Sequence, residues 1–179
     1  MKIVQIAIFC IAFIAFGVLA LVIAHPYLLK MAAKSQAEKD YLRLVSEAKT
    51  EIYVGSPELI ERIVMDKGFA ESITTVHLSG PNGKSMNFAS LRDLRNLATV
   101  EINYCHGVET IIWTLNKMTG LKEVNFHYCR APEMILEEIN NASLTVLSIP
   151  SFQPSPDANE QVSKTKERLS NCTIRLTND

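Results

Sequence analysis

The stretch Leu97-Ala-Thr-Val-Glu-Ile-Asn-Tyr-Cys105 decides the fold, because the pattern of its first six residues recurs along the chain. The same apolar-x-x-apolar-x-apolar order returns at Ile73–Leu78, Leu121–Phe126 and Leu144–Ile149. The central apolar residues of the four copies are Val76, Val100, Val124 and Leu147, so successive positions differ by 24, 24 and 23. A fixed period near this length is typical of a solenoid, in which each unit buries its core against its neighbours.

The same phase extends beyond these four copies in both directions. Ile52-Tyr-Val54 precedes Val76-His-Leu78 by the same interval of 24. Ile174-Arg-Leu176 follows the Leu147 strand at an interval of 27, and the extra length lies in the proline-rich stretch Pro150–Pro156. The pattern therefore predicts six strands.

Helical spacing of apolar residues separates the predicted strands. After Ile52–Val54, Ser56-Pro57-Glu58 supplies an N-cap, a proline at the first helical position and an acidic first turn. Later units repeat apolar residues at threefold and fourfold spacing: Phe88, Leu91, Leu94, Leu97; Val108, Ile111, Ile112, Leu115, Met118; Met134, Ile135, Ile139. A polar helix is predicted over Asp157–Leu169.

A strand, a turn and a helix fit within one such period only if each coil of the chain returns to its start. The strands then stack in parallel, about 4.8 Å apart, with their alternate apolar residues pointing inward. Helices occupy more room than strands, so the stack curves with the sheet on the inside. The predicted fold is therefore α/β, with a concave parallel sheet and convex helices.

These residues resemble the leucine-rich repeat, whose pattern is Leu-x-x-Leu-x-Leu followed by x-x-Asn or x-x-Cys. Leu97–Cys105 and Leu121–Cys129 fit every position, whereas other units carry Pro81, Phe152 or Lys49 at pattern positions. The resemblance covers residues 50–179 and about five to six repeats. The layout of the chain is similar to that of short membrane-anchored leucine-rich-repeat proteins of bacteria. It is also similar to that of small cysteine-type leucine-rich-repeat proteins that assist mitochondrial membrane complexes. The resemblance implies that the repeat cysteines point inward and have a structural role, and that the concave strand side is a docking surface.

Residues 1–26 form a separate segment of the chain. Ile3–Ala24 carries no charge, and as a helix it would span about 33 Å, enough for a bilayer core of about 30 Å. The sequence therefore predicts a single-pass transmembrane anchor within residues 1–26. A cleaved signal peptide is the alternative, with Val22-Ile23-Ala24 as a poor cleavage site.

The side of the membrane that holds the repeat domain stays undetermined. The positive-inside rule places the C-terminal flank, with Lys30, Lys34, Lys39 and Arg43, in the cytoplasm. The short N-terminal tail instead resembles an ordinary signal anchor, which exports the rest of the chain.

His25-Pro26 is expected to break the apolar run. Residues 27–49 are predicted to form a juxtamembrane helix, either a cap on the first repeat or a polar spacer, with an apolar face of Tyr41, Leu42, Val45 and Ala48.

Composition and motifs argue against several functional classes. The net charge of −1 and the lack of a basic block give no reason to expect nucleic-acid binding. The sequence contains no catalytic or phosphate-binding motif, and we expect no enzyme activity and no cofactor. Cys105, His106, His127 and Cys129 are metal-ligand types, but His127 belongs to the outer face of its strand, so no metal site is predicted.

The exposed side of the strands is the candidate binding surface. Alternation places polar and charged side chains outward, and Tyr104 and Tyr128 follow two strands one repeat apart. The candidate protein-binding residues are His77, Thr99, Glu101, Asn103, Glu123, Asn125, His127, Ser148 and Arg175. We expect an unknown protein partner on this face and membrane attachment through residues 3–24. Two alternatives stay open: a solvated sheet that binds nothing strongly, and an accessory or assembly subunit held in a membrane complex by its N-terminal helix.

Overall fold

The computed structural model describes residues 2–79, 88–104, 108–129, 132–151 and 156–177, with side chains described for residue 22, residues 24–79 and from 159 in the last range. Pro81, Cys105, His106 and residues 152–155, which the sequence analysis names, lie outside the described ranges. In chain order the elements are α1 (Lys2–Ser46), β1 (Glu51–Val54), α2 (Pro57–Met65), α3 (Lys67–Ser72), β2 (Thr75–Ser79), a 3-10 helix (Ala89–Asp93), β3 (Thr99–Asn103), α4 (Val108–Leu115), β4 (Glu123–His127), α5 (Pro132–Glu138), β5 (Val146–Pro150), α6 (Pro156–Arg168) and β6 (Thr173–Thr177).

The six strands form one parallel sheet, and their spatial order is their order in the chain. Val100 pairs with Val76 on one side and with Val124 on the other. Residues that are one repeat apart in the sequence are therefore direct neighbours on adjacent strands. The same register continues to β6, where the partner of Leu147 is Ile174. The predicted α/β class, the six strands and their parallel pairing are confirmed.

One side of the sheet forms the core together with the helices. Val100, Ile102, Val124 and Phe126 are at most 1% exposed, and they belong to the same apolar cluster as the buried residues of α2, α4 and α5. Burying an aliphatic side chain of this size contributes about 1.5–3 kcal/mol. The period-two alternation therefore places every second strand residue in the core and leaves the others on the opposite side.

The unit between β2 and β3 contains a 3-10 helix where helical spacing was predicted. Phe88, Leu91, Leu94 and Leu97 are all buried, and the regular part of this segment is the 3-10 helix Ala89–Asp93. A 3-10 helix has three residues per turn, and Leu91 is the member of this set that lies within it. The threefold spacing therefore located the buried side chains of this unit, whereas the regular helix covers only part of the spacing.

Helix α1 continues without a break from Lys2 to Ser46 and contains Pro26 in its interior. The predicted anchor and the predicted juxtamembrane helix are therefore parts of one continuous helix. Among the residues described, no helix combines the length and the apolar character needed to cross a membrane. Side chains of residues 2–21 lie outside the description, and the anchor at residues 3–24 stays a prediction.

The C-terminal part of α1 packs against α2, and its buried residues join the apolar core at the first unit. Ala37, Tyr41 and Leu44 are buried, whereas Leu42 and Val45 are exposed. The predicted apolar face of Tyr41, Leu42, Val45 and Ala48 is thus wrong except for Tyr41. The buried set has spacings of four and three residues, so it forms one helical stripe, and the predicted set was rotated away from it.

A polar cluster fixes this contact between α1 and α2. The Arg62 guanidinium donates two hydrogen bonds to the Glu38 carboxylate and lies 3.7 Å from the centroid of the Tyr41 ring. The Tyr41 hydroxyl donates to Asp66 Oδ2 over 2.6 Å, and Asp66 Oδ1 accepts from the Phe69 amide, capping α3. The hydrogen bond to Asp66 raises the pKa of Tyr41, and the same bond, with that from Phe69, lowers the pKa of Asp66.

Asn141 holds the turn before β5 with a buried amide. Its Nδ2 donates to the carbonyls of Leu115 and Met118 over 2.6 and 2.7 Å, and its Oδ1 accepts from the Ser143 amide and hydroxyl. The residue is 4% exposed. One side chain therefore satisfies two carbonyls at the end of α4 and ties that unit to the next.

Candidate functional site

The side of the sheet opposite the core is called here the strand face. It consists of the side chains that alternate with core residues along β1 to β6, together with the exposed Tyr104 and Tyr128 that directly follow β3 and β4. Its central row runs across all six strands in register: Tyr53, His77, Glu101, Asn125, Ser148 and Arg175. The predicted candidate residues all belong to the strand face, and the rows on either side of the central one supply the rest.

His77 lies between two carboxylates on neighbouring strands. Its Nε2 is 2.7 Å from Glu51 Oε1 on β1, and its Nδ1 is 2.7 Å from Glu101 Oε2 on β3. The imidazole also stacks on the Tyr53 ring, with 4.3 Å between centroids and 9° between planes. The His77 side chain is only 11% exposed, compared with 55% for Glu51. His77 is therefore a support for its neighbours rather than an open contact residue.

The number of hydrogen bonds in this arrangement depends on how many of the imidazole nitrogens carry a proton. A carboxylate oxygen accepts hydrogen bonds, and a neutral imidazole carries only one N–H, so it satisfies one of the two carboxylates. When the ring carries both protons, it donates to Glu51 and Glu101 together and balances part of their charge. The cluster thus connects β1, β2 and β3 through side chains on the strand face, in addition to the main-chain ladder.

Tyr104 and Tyr128 form a second aromatic pair, at the carboxyl ends of β3 and β4. Their rings stack with 4.8 Å between centroids and 8° between planes, a spacing close to the distance between neighbouring strands. Both residues have left-handed backbones, with φ of 54° and 52°, and are 55% and 54% exposed. A bulky side chain in this conformation is uncommon, because it costs about 1–2 kcal/mol.

The remaining candidate residues differ in how much they present to solvent. Glu123 and Asn125 are half-buried and joined by a hydrogen bond of 3.1 Å from Asn125 Nδ2. Ser148 is buried, so its prediction as a contact residue gains no support from its position. Thr99, Asn103 and His127 are half-buried, and Arg175 is exposed on the last strand. The structure thus brings together His77 with Glu101 and Glu123 with Asn125, and leaves Arg175 three strands away from Glu101.

Glu51 and Tyr53 are site residues that the sequence analysis missed. Ile52–Val54 was recognised as the first strand, but its outward positions were left out of the candidate surface. The register of the sheet supplies the missing signal, because it aligns Glu51 with Thr75 and Tyr53 with His77. Extending the outward rows by one strand would have found both residues.

A hollow adjoins this first strand. It has a volume of about 620 Å³ and lies where the end of α1 meets β1, lined by charged and polar residues together with Tyr53: Arg43, Leu44, Glu47, Ala48, Lys49, Thr50, Glu51 and Tyr53. The strand face therefore continues beyond Tyr53 into a concave region of mixed charge.

Cys129 turns inward, as the resemblance implied. It is 7% exposed, and its sulfur is 3.6 Å from the Ile102 carbonyl oxygen of the preceding unit. Within the described ranges, no group of three or more histidine, cysteine or carboxylate side chains is placed to hold a metal ion.

No family model, no curated protein and no solved structure matches this chain. A functional proposal therefore depends on the residues and contacts of the chain itself.

Proposed function

We propose that this chain is a leucine-rich-repeat protein that binds a protein partner through its strand face and is held at a membrane by its N-terminal helix, without catalysis. The fold supports the first part: strands follow one another in parallel at the period of the repeat, and in the described parts of the chain the helices share an apolar core with one side of the sheet. Two repeats, Leu97–Cys105 and Leu121–Cys129, also match the family pattern at every position.

The stacked pair of Tyr104 and Tyr128 is the observation that carries the protein-binding proposal. Two exposed tyrosines in a left-handed backbone cost stability, and each leaves more than half of its surface open. Tyrosine is enriched at protein interfaces because its rigid ring adds contact area with little loss of rotamer entropy, and its hydroxyl forms hydrogen bonds. Such a costly exposed pair fits a contact site better than a structural role.

The surroundings of the pair fit a partially polar protein interface. Asn103 and His127 precede the two tyrosines on β3 and β4, and Glu101 and Asn125 follow in the central row. Non-obligate interfaces combine an aromatic centre with a polar rim and about one hydrogen bond per 100–200 Å². The strands that lead to the tyrosine pair therefore carry both hydrogen-bond donors and acceptors.

The proposal is tested by removing the tyrosines and quantifying what co-purifies with the full chain. A double variant, Tyr104→Ser with Tyr128→Ser, is compared with Trp113→Ser, which removes an aromatic residue that is 53% exposed on α4. We expect the double variant to lose at least one partner that the unmodified chain and Trp113→Ser both retain. Identical partner sets for all three proteins would contradict the proposal.

A second candidate function is an accessory or assembly subunit held in a membrane complex by α1. The observation that favours it is the exposed apolar surface of this helix near Pro26. Val22, Tyr27, Leu28, Leu29 and Met31 are each more than half exposed. Apolar surface of this extent requires lipid or a protein to cover it.

Exchanging residues 3–31 for an unrelated anchor separates the two candidates, because it removes all five of these exposed apolar residues. A function that depends on contacts of α1 is lost in the exchanged protein, although its repeat domain stays folded and membrane-bound. A function of the strand face survives the exchange and is lost in the double tyrosine variant.

A further inference from the structure

Among the residues that the structure describes, the apolar core is covered at one end of the sheet and exposed at the other. At the first unit, the buried residues Ala37, Tyr41 and Leu44 of α1 close the core. At β6, Leu176 occupies a core-side position but is 52% exposed, whereas Ile149, its register partner on β5, is fully buried. The last strand therefore presents apolar surface that belongs to the interior of the repeat stack.

At this end of the sheet, main-chain N–H and C=O groups of β6 also lack a described strand partner. The Thr173 amide donates to the Thr145 carbonyl over 2.8 Å, and the Thr177 carbonyl accepts from the Ser151 amide over 2.6 Å. In a parallel strand, alternate residues direct both main-chain groups to the same neighbour. The N–H and C=O groups of Ile174 and Leu176 thus point away from β5, and no described strand lies on that side.

The edge also carries a positive charge. Arg175 is exposed on the strand face, its register partner is the uncharged Ser148, and no carboxylate in the described parts of the chain forms an ion pair with it. Natural edge strands commonly carry a charged side chain, which hinders unspecific pairing. The same charge selects for a partner that places a carboxylate opposite it.

We propose that the β6 edge pairs with an extended segment of a partner protein in which an acidic residue opposite Arg175 is flanked by apolar residues. Such a strand satisfies the four outward main-chain groups of Ile174 and Leu176, covers the open end of the core and balances the Arg175 charge. The edge is a second interaction surface, which shares Arg175 with the strand face but does not depend on the function proposed for that face.

A second copy of this chain fits the edge less well. Two β6 strands related by a two-fold axis and centred on their middle residue place Arg175 opposite Arg175, and like charges directly opposite one another are destabilising. Registers that avoid this contact leave part of each strand unpaired. The charge therefore favours a partner segment with an acidic residue.

The test uses the full chain in detergent micelles and the peptide Thr-Val-Glu-Val-Thr, blocked at both ends. The peptide reads the same in both directions, so the result does not depend on strand orientation. Thr-Val-Lys-Val-Thr serves as the charge control. At a peptide concentration about ten times its dissociation constant, we expect hydrogen exchange at the Ile174 and Leu176 amides to slow by about tenfold.

The charge-swapped protein completes the design. In Arg175→Glu, the preference is expected to reverse, so that the lysine peptide protects the two amides and the glutamate peptide does not. Equal protection by both peptides, or no protection by either, would overturn the proposal. Protection that appears without peptide and grows with protein concentration, together with a dimer mass in sedimentation, would also overturn it by showing that a second copy occupies the edge.

Discussion

The imidazole of His77 lies parallel to the Tyr53 ring, and a carboxylate oxygen faces each of its two nitrogens. The residue was predicted as an open contact position because it alternates with core residues along β2. Its side chain is instead enclosed by Glu51 on one neighbouring strand and Glu101 on the other. The register of the sheet produces this enclosure, because it aligns Tyr53, His77 and Glu101 in one row.

Replacing His77 by Ala removes the stacking contact with Tyr53 and the hydrogen bonding of the imidazole to its carboxylate neighbours, and leaves Glu51 and Glu101 facing an empty position. We expect the free energy of unfolding to fall by about 1–3 kcal/mol, measured by urea titration. The loss should be smaller when Glu51→Gln and Glu101→Gln are already present, since no carboxylates then remain unbalanced. An equal loss in both backgrounds would show that the carboxylates do not interact with the ring.

Replacing Tyr128 by Ala is expected to destabilise the fold more than replacing it by Gly, by about 1 kcal/mol, because only Gly adopts the left-handed backbone without cost. Tyr53 is the matched control. It lies within β1, where Gly is less favourable than Ala by about 0.5–1 kcal/mol, so the order of the two variants should reverse. Thermal unfolding of the four variants measures both differences, and the same order at both positions would contradict the left-handed assignment at Tyr128.

The Tyr41–Asp66 hydrogen bond predicts a pH dependence of stability in the acid range. The folded pKa of Asp66 lies below its usual value, so its contribution to stability is present above the unfolded pKa and is lost as the pH falls through the folded pKa. We expect Asp66→Asn to lose part of this acid dependence, measured by unfolding midpoints at a series of pH values.

Tyr41→Phe keeps the ring beneath Arg62 but removes the hydroxyl donor to Asp66, and it should reduce the same dependence. Asp93→Asn removes an exposed carboxylate on the 3-10 helix and serves as the control. If Asp66→Asn and Asp93→Asn change the acid dependence equally, the hydrogen bond is not its cause.

Replacing Asn141 by Ala leaves the Leu115 and Met118 carbonyls without their buried donor. We expect a loss of about 2–4 kcal/mol in the free energy of unfolding, since each unsatisfied buried group costs about 1–3 kcal/mol. Asn140→Ala, at an exposed neighbouring position, should cost much less. Similar losses for the two variants would contradict a special role for the buried amide.

The sequence predicted the strands well and the side-chain partners poorly. The strands could be predicted because the apolar pattern recurs in phase along the chain. Ile52 and Ile174, in the two terminal strands, pair with the matching residues of their neighbours as the central copies do. The enclosure of His77 depends instead on Glu51 and Glu101, which lie on neighbouring strands and far from it in the chain. The alternation along a strand predicts that a side chain points outward. It does not predict whether a carboxylate on a neighbouring strand contacts that side chain.

The face of α1 shows the same limit. Tyr41 and Leu44 contact the core and Leu42 does not, because the docking angle of the helix is fixed by Glu38 together with Arg62 and Asp66, which lie beyond β1 in the chain. The spacing of apolar residues in the helix is compatible with two different buried faces, one that contains Leu42 and one that contains Leu44. Tertiary ion pairs and hydrogen bonds, which no local pattern encodes, select between them.

Site-specific photo-crosslinking in the native cell tests most directly whether the strand face is the binding surface. A photoreactive amino acid is placed at Tyr128 or Asn125 on the strand face, and at Trp113 or Lys117 on the helix side. The proposal predicts one discrete adduct, with the same protein, from both strand-face positions and none from the helix side. Adducts from the helix side alone, with none from Tyr128 or Asn125, would contradict it.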